Sequence, residues 1–152
     1  MNDFDVLLVD DEVEFLETLM KRIRKRGVRV SGVKSGDEAL AFLTNTPVDV
    51  VVLDVKMPGM DGIETLRTIK KRHPLVEVIM LTGHATVESA VDGLKSGAID
   101  FLMKPIGVDE LIEKASDAFE KRQRMEEKIR MAQARRFMRS PREILWEVES
   151  TE

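Results

Sequence analysis

Five residues of this chain stand where chemistry on an anion could be done: Asp10, Asp11, Asp54, Thr82 and Lys104. Each lies at the end of a short apolar run. "FDVLLVD" ends in Asp10 and runs into Asp11, "VDVVVLD" ends in Asp54, "VEVIMLT" ends in Thr82, and "AIDFLM" is followed by Lys104. Uninterrupted apolar runs bounded by turn residues read as strands buried on both faces, as in parallel sheets covered by helices. In a parallel sheet such ends all point the same way, and ligands of open α/β sheets bind in the crevice beyond them. Singly, each residue has an ordinary role. Asp54 can open the Pro-Gly turn of "VKMPGMDG", Asp10 and Asp11 can cap a helix, Lys104 can be a surface lysine and Thr82 a strand terminus. Their occurrence together at successive strand ends is what argues for a site.

Three carboxylates brought together resist ionisation unless a cation neutralises them. All-oxygen donors suit Mg²⁺, which keeps several waters and takes one or two protein carboxylates with phosphate oxygens. The cluster therefore reads as a Mg²⁺ site for phosphoryl chemistry, with Asp54 as a carboxylate nucleophile able to form an acyl phosphate. Lys104 would pair with phosphoryl oxygens as a point charge, and Thr82 would donate a hydrogen bond to them.

The elements that would position these residues alternate along the first 120 residues. Between the runs 4–10, 28–33, 48–54, 76–82 and 98–103 lie helical patterns. Phe15, Leu16, Leu19, Met20 and Ile23 form a stripe that Gly27 can terminate, and Ser35 is a candidate N-cap for a second helix through Ala39, Leu40 and Leu43. Ile63, Leu66 and Ile69 mark a third helix; Val87, Ala90, Val91 and Leu94 mark a fourth, closed by Gly97. Strands alternating with helices predict right-handed crossovers and a doubly wound, five-stranded parallel sheet, a (βα)5 arrangement of the flavodoxin-like kind.

A fifth helix is predicted from Val108, with an apolar seam that runs past the end of the domain. Positions 111, 115, 118, 122, 125, 129, 132 and 136 alternate by four and three, reading Leu, Ala, Ala, Arg, Met, Ile, Ala, Arg. With two Arg and three Ala this is a thin heptad seam, compatible with a coiled coil or a solvated single helix. Pro141 ends helical continuation and leaves "REILWEVESTE", where Ile144, Leu145 and Val148 allow one short amphipathic turn. The expected division is a domain at 1–120 and an extension at 121–152.

Charge follows the same division. Residues 1–119 carry 15 Lys/Arg against 21 Asp/Glu, residues 120–142 carry 9 against 3, and residues 143–152 carry 4 Glu and no base. The basic tail is compositionally a separate piece. The chain has no Cys and only two His, His73 and His84, which excludes disulfides, thiol nucleophiles and multi-histidine metal sites. No run of 18 apolar residues occurs, and "MNDFDVLL" lacks a basic segment ahead of an apolar one. A cytoplasmic protein without a membrane partner is expected.

With "LLVDDE", "VLDVKMPGMDG", "LTGHAT" and "GAIDFLMKP" in this order, residues 4–120 closely resemble the receiver domain of two-component response regulators, and "TGHATVESAVDGLKSGAIDFLMKP" resembles receivers of the nitrogen-regulatory type. The resemblance implies that Asp54 accepts phosphate from the phosphohistidine of a sensor histidine kinase. It implies a Mg²⁺ site made by Asp10, Asp11, Asp54 and the backbone carbonyl of Lys56, with Thr82 and Lys104 contacting the phosphoryl group. It also implies a switch in which Thr82 turns toward the phosphoryl group, Phe101 rotates inward, and the surface of the fourth helix and fifth strand changes. Phe101 has no hydroxyl, so a version using a Tyr hydrogen bond is excluded. Lys56 and His84, two residues after the acceptor and after Thr82, are expected to tune dephosphorylation.

The sequence leaves three outputs open. The first is a phosphoacceptor signalling protein that is not an enzyme, acting by protein contact or by a homodimer through the tail or the fourth helix and fifth strand. The second gives "KRQRMEEKIRMAQARRFMR" a nucleic-acid role, which the near absence of interleaved aromatics disfavours. The third is a Mg²⁺-dependent phosphatase with an Asp nucleophile, which would want a second Asp where this chain has Lys56.

Overall fold

The computed structural model describes residues 3–55, 61–83 and 86–137. Among these residues five strands and five helices alternate: β1 Asp5–Val9, α1 Val13–Lys25, β2 Arg29–Val33, α2 Gly36–Asn45, β3 Val50–Leu53, α3 Gly62–Arg72, β4 Glu77–Thr82, α4 Val87–Lys95, β5 Asp100–Met103 and α5 Val108–Phe137. All strand pairs are parallel, in the order β2-β1-β3-β4-β5. This is the doubly wound sheet read from the strand-helix alternation.

The continuous apolar runs arise because side chains alternate between two covered faces. Val6, Leu8, Val50, Val52, Ile79 and Leu81 face one core with Leu16, Leu19 and Ile23 of α1 and Leu111, Ala115 and Ala118 of α5. Leu7, Val9, Val51, Leu53, Val78 and Met80 face the other, with apolar residues of α2 and α3. The rings of Phe4 and Phe119 stack at 5.2 Å and tie the start of the chain to α5.

Helix termini follow the local chemistry. Ser35 accepts the Glu38 N–H and caps α2, Asp61 accepts the Glu64 N–H and caps α3, and Thr86 with Ser89 forms a capping box on α4. Gly27 and Gly97 follow α1 and α4 with φ of +80° and +114°, the left-handed region that glycine enters at no steric cost. The strands are shorter than the apolar runs. Val48 and Val76 are buried without belonging to a ladder, so burial extends the pattern beyond the hydrogen-bonded residues.

The chain divides into two compact units, Met1–Arg122 and Gln123–Glu152. In the first, the seam of α5 is buried at Leu111, Ala115 and Ala118, where small Ala side chains let the helix pack against the sheet. Arg122, which looked like a flaw in that seam, donates from Nη1 to the Val48 carbonyl at 2.6 Å and lies 3.5 Å from Asp49 Oδ1. In the second unit Met125, Ile129, Met131 and Phe137 are exposed. Pro141, the final apolar segment and Trp146 lie outside the described residues.

Candidate functional site

The site is made where the sheet's hydrogen-bond ladder runs one residue past the strands. The Asp10 N–H donates to the Val33 carbonyl at 3.1 Å, the Asp54 N–H to Val9 at 3.0 Å, and the Lys104 N–H to Thr82 at 2.9 Å. Asp10, Asp54 and Lys104 are thus each pinned by a neighbouring strand at the carboxyl edge. Asp10, Asp54 and Thr82 are buried, and the Lys104 side chain is 12% exposed. Burying two carboxylates and an ammonium together is tolerable only because they answer one another.

The Lys104 ammonium is the centre of the arrangement. Its Nζ lies 2.7 Å from Asp10 Oδ2, 3.1 Å from Glu12 Oε1 and 3.8 Å from Asp54 Oδ2. Below it, 4.1 Å away, is the centroid of the Phe15 ring. The other oxygen of Asp10, Oδ1, accepts the Glu12 N–H at 2.9 Å at the start of α1. Asp10 therefore pairs with charge and braces the turn into α1, but it does not cap the helix: Glu12 is the N-cap, and no side chain caps the first turn.

Asp10, Glu12 and Asp54 each offer a carboxylate oxygen, and the three lie within 4.8 Å of one another. Glu12 is the member that sequence reading missed. Its signal was the third acid of "DDE", and nothing in the run of acids says which carboxylate turns inward. Asp11 is half-buried and does not belong to this triplet. The donor set is all hard oxygen with excess negative charge, which fits Mg²⁺. Beneath the acids lies a cavity of about 10 Å³ bordered by Asp10, Asp54, Phe15 and apolar strand residues, room for about one water.

Burial opposes the charge on Lys104, but the Asp10 hydrogen bond and charge, with those of Glu12 and Asp54, outweigh it and hold the ammonium above the ordinary lysine value of 10.5. A base whose pKa is raised by folding contributes stability that is whole below its unfolded value and lost as pH rises toward the folded one. Stability in urea should therefore fall above pH 10.5 more steeply for the parent chain than for Lys104→Met. Lys70 titrates oppositely: burial pushes its pKa down against the attraction of Glu77, and its ammonium donates to the Pro74 and Val76 carbonyls. That contribution is common to both chains and cancels in the comparison.

The α3 N-terminus packs against the end of β3. A Cβ on Gly62 would lie 2.5 Å from the Asp54 carbonyl oxygen, 2.5 Å from Val55 Cα and 2.6 Å from the Val55 oxygen. The Gly62 N–H donates to Val55 at 2.9 Å. Only a residue without a Cβ permits this close backbone approach. Gly59, Lys56 and His84 lie outside the described residues. Phe101 is half-buried against the α2–α3 side of the core. On α4 and β5, Val87, Val91, Leu94 and Met103 are exposed.

A five-stranded parallel sheet with acids after β1 and β3, a hydroxyl ending β4 and a lysine after β5 is the arrangement of the CheY-like receiver class. Residues 6–116 match the response regulator receiver domain, and the chain belongs to that family. It is 40% identical over 107 residues to the transcriptional regulatory protein ZraR of Klebsiella oxytoca, covering 70% of this chain and 24% of that protein. It is 36% identical over 121 residues to the DNA-binding transcriptional regulator NtrC of Salmonella typhimurium, covering 78% of this chain and 26% of that one. The solved receiver domain of NtrX from Brucella abortus superposes with a TM-score of 0.72 at 36% identity, covering 76% of this chain and 98% of that domain. The chain thus spans about a quarter of the length of these curated relatives and resembles a nitrogen-regulatory-type receiver. No described helix is long and apolar enough to cross a membrane.

Proposed function

We propose that Asp54 is the phosphoacceptor, taking a phosphoryl group from the phosphohistidine of a sensor histidine kinase. The observation that carries this reading is the buried Asp54 carboxylate set beside Asp10, Glu12 and the Lys104 ammonium at the carboxyl edge of the sheet. A carboxylate oxygen of Asp54 attacks phosphorus, the P–N bond breaks, and the imidazole leaves with the electron pair. Lys104 stands ready to compensate charge on the phosphoryl oxygens, and Thr82 to donate its hydroxyl proton to one of them. Mg²⁺ would be held by Asp10 and Asp54, with Asp11, the Lys56 carbonyl and the nearby Glu12 as further oxygen donors. When bound it would neutralise the charge that gathers on the transferring group.

The switch reading gives Thr82 and Phe101 the relay from site to surface. The exposed apolar residues of α4 and β5 support that face as the one whose partner contacts or self-association change on phosphorylation. The exposed Met125 and Ile129 support α5 as the other candidate for a homodimer. That two relatives are transcriptional regulators by name supports control of transcription as the downstream process, reached through protein contact.

The test is uptake of phosphate from acetyl phosphate, read by intact mass with Mg²⁺ and with EDTA. One phosphoryl group per chain is expected with Mg²⁺, and none for Asp54→Asn. Equal labelling of the Asn variant would refute the assignment.

A further inference from the structure

We propose that Phe15 is the positioning residue for Lys104, its ring forming the uncharged wall of the ammonium's seat and keeping the ammonium at the site when the carboxylates are engaged by a divalent cation. The inference rests on the phosphoacceptor reading of Asp54.

The seat has two kinds of wall. Asp10 at 2.7 Å and Glu12 at 3.1 Å hold the ammonium by charge, while the Phe15 ring lies 4.1 Å from Nζ on another side. The negative face of an aromatic ring attracts a cation, and more strongly where water is excluded, as it largely is around a lysine side chain 12% exposed. Phe15 is itself fixed by packing against the α1–α5 core. The two walls respond differently to a metal. A carboxylate committed to a dication no longer offers its full charge to Lys104, and the dication repels the ammonium across a few ångströms of low-dielectric interior. The ring carries no formal charge and cannot be claimed by a hard cation, so its hold persists when the ion pairs weaken. Lys104 would then remain poised for a phosphoryl oxygen instead of swinging into solvent. A core-filling role alone would be met equally by Leu, which has the bulk but no ring quadrupole.

Beryllofluoride, a phosphoryl mimic, supplies the probe, titrated against the full chain at saturating Mg²⁺ alongside a separate Mg²⁺ titration. Phe15→Leu is expected to weaken the mimic about three- to tenfold while changing Mg²⁺ affinity by less than about twofold, and Phe15→Trp is expected to restore the mimic's affinity. In a Lys104→Met background Phe15→Leu should add nothing. Equal weakening by Leu and Trp, no weakening by Leu, or a loss that persists without Lys104 would each overturn the proposal. A measurement on the parent alone guards against variants that fail to fold. The Lys104 ε-methylene protons should show an upfield ring-current shift with Mg²⁺ bound, and their appearance at the ordinary lysine position would contradict the seat. If the parent fails to bind beryllofluoride through Asp54, the phosphoacceptor reading falls. If it binds and Phe15 has no effect, only this inference does.

Discussion

Lys104→Met should lower folding stability sharply in EDTA and much less in Mg²⁺. The substitution keeps an unbranched stem against Phe15 but removes the only cation within 4 Å of Asp10 among the described residues. Asp10 and Asp54 are buried, so their charges would be left facing each other with reduced compensation. Removing one partner of a buried ion pair costs about 3–5 kcal/mol; because Glu12 is 60% exposed and water reaches that side, roughly 2–3 kcal/mol is expected here. A divalent cation supplies the missing charge, so most of the loss should return with Mg²⁺, and Mg²⁺ should bind more tightly to the variant than to the parent. Urea unfolding with EDTA and with Mg²⁺ checks both. Equal losses under the two conditions would mean that Lys104 is not the cation balancing these acids.

The second large effect is expected from Gly62→Ala. The added methyl would meet three backbone atoms of Asp54 and Val55 at 2.5–2.6 Å, and backbone at a strand end cannot rotate away as a side chain can. Overpacking costs about 1–3 kcal/mol where side chains adjust, and about 3 kcal/mol or more is expected here. Because the displaced atoms are the Asp54 carbonyl oxygen and two backbone atoms of the residue after it, Mg²⁺ affinity should fall together with the melting temperature. Gly107→Ala is the control, since nothing lies within 4 Å of its Cβ. Similar melting temperatures for the two variants would show that α3 does not press on the acceptor strand.

Much of this site was legible in the sequence because a parallel sheet writes its edges plainly. Strands buried on both faces leave apolar runs with abrupt ends, and residues at those ends must share one edge, so Asp10, Asp54, Thr82 and Lys104 could be brought together before any coordinates. Helix caps were legible for a similar reason: Ser35, Gly27 and Gly97 do their work within a few residues of themselves. What escaped depends on side-chain direction across long separations. Phe15 reads as one more apolar residue of an α1 stripe, yet its ring lies under a lysine 89 positions later in the chain. Glu12 is indistinguishable by type from Asp11 and Glu14. Arg122 breaks a heptad on paper because the pattern counts residue types, whereas its guanidinium reaches the Val48 carbonyl while the neighbouring Ala118 is buried. The strand runs were read one to three residues too long because buried side chains such as Val48 and Val76 extend the apolar pattern beyond the strands.

Trapping the acyl phosphate tests the assignment of Asp54 as phosphoacceptor at the level of the bond formed. After phosphorylation with acetyl phosphate and Mg²⁺, borohydride reduces an aspartyl phosphate to homoserine, and peptide mass spectrometry then locates the modified residue. Homoserine is expected at position 54 alone. Modification at Asp10, Asp11 or Glu12, or none in a chain that has taken up phosphate, would contradict it.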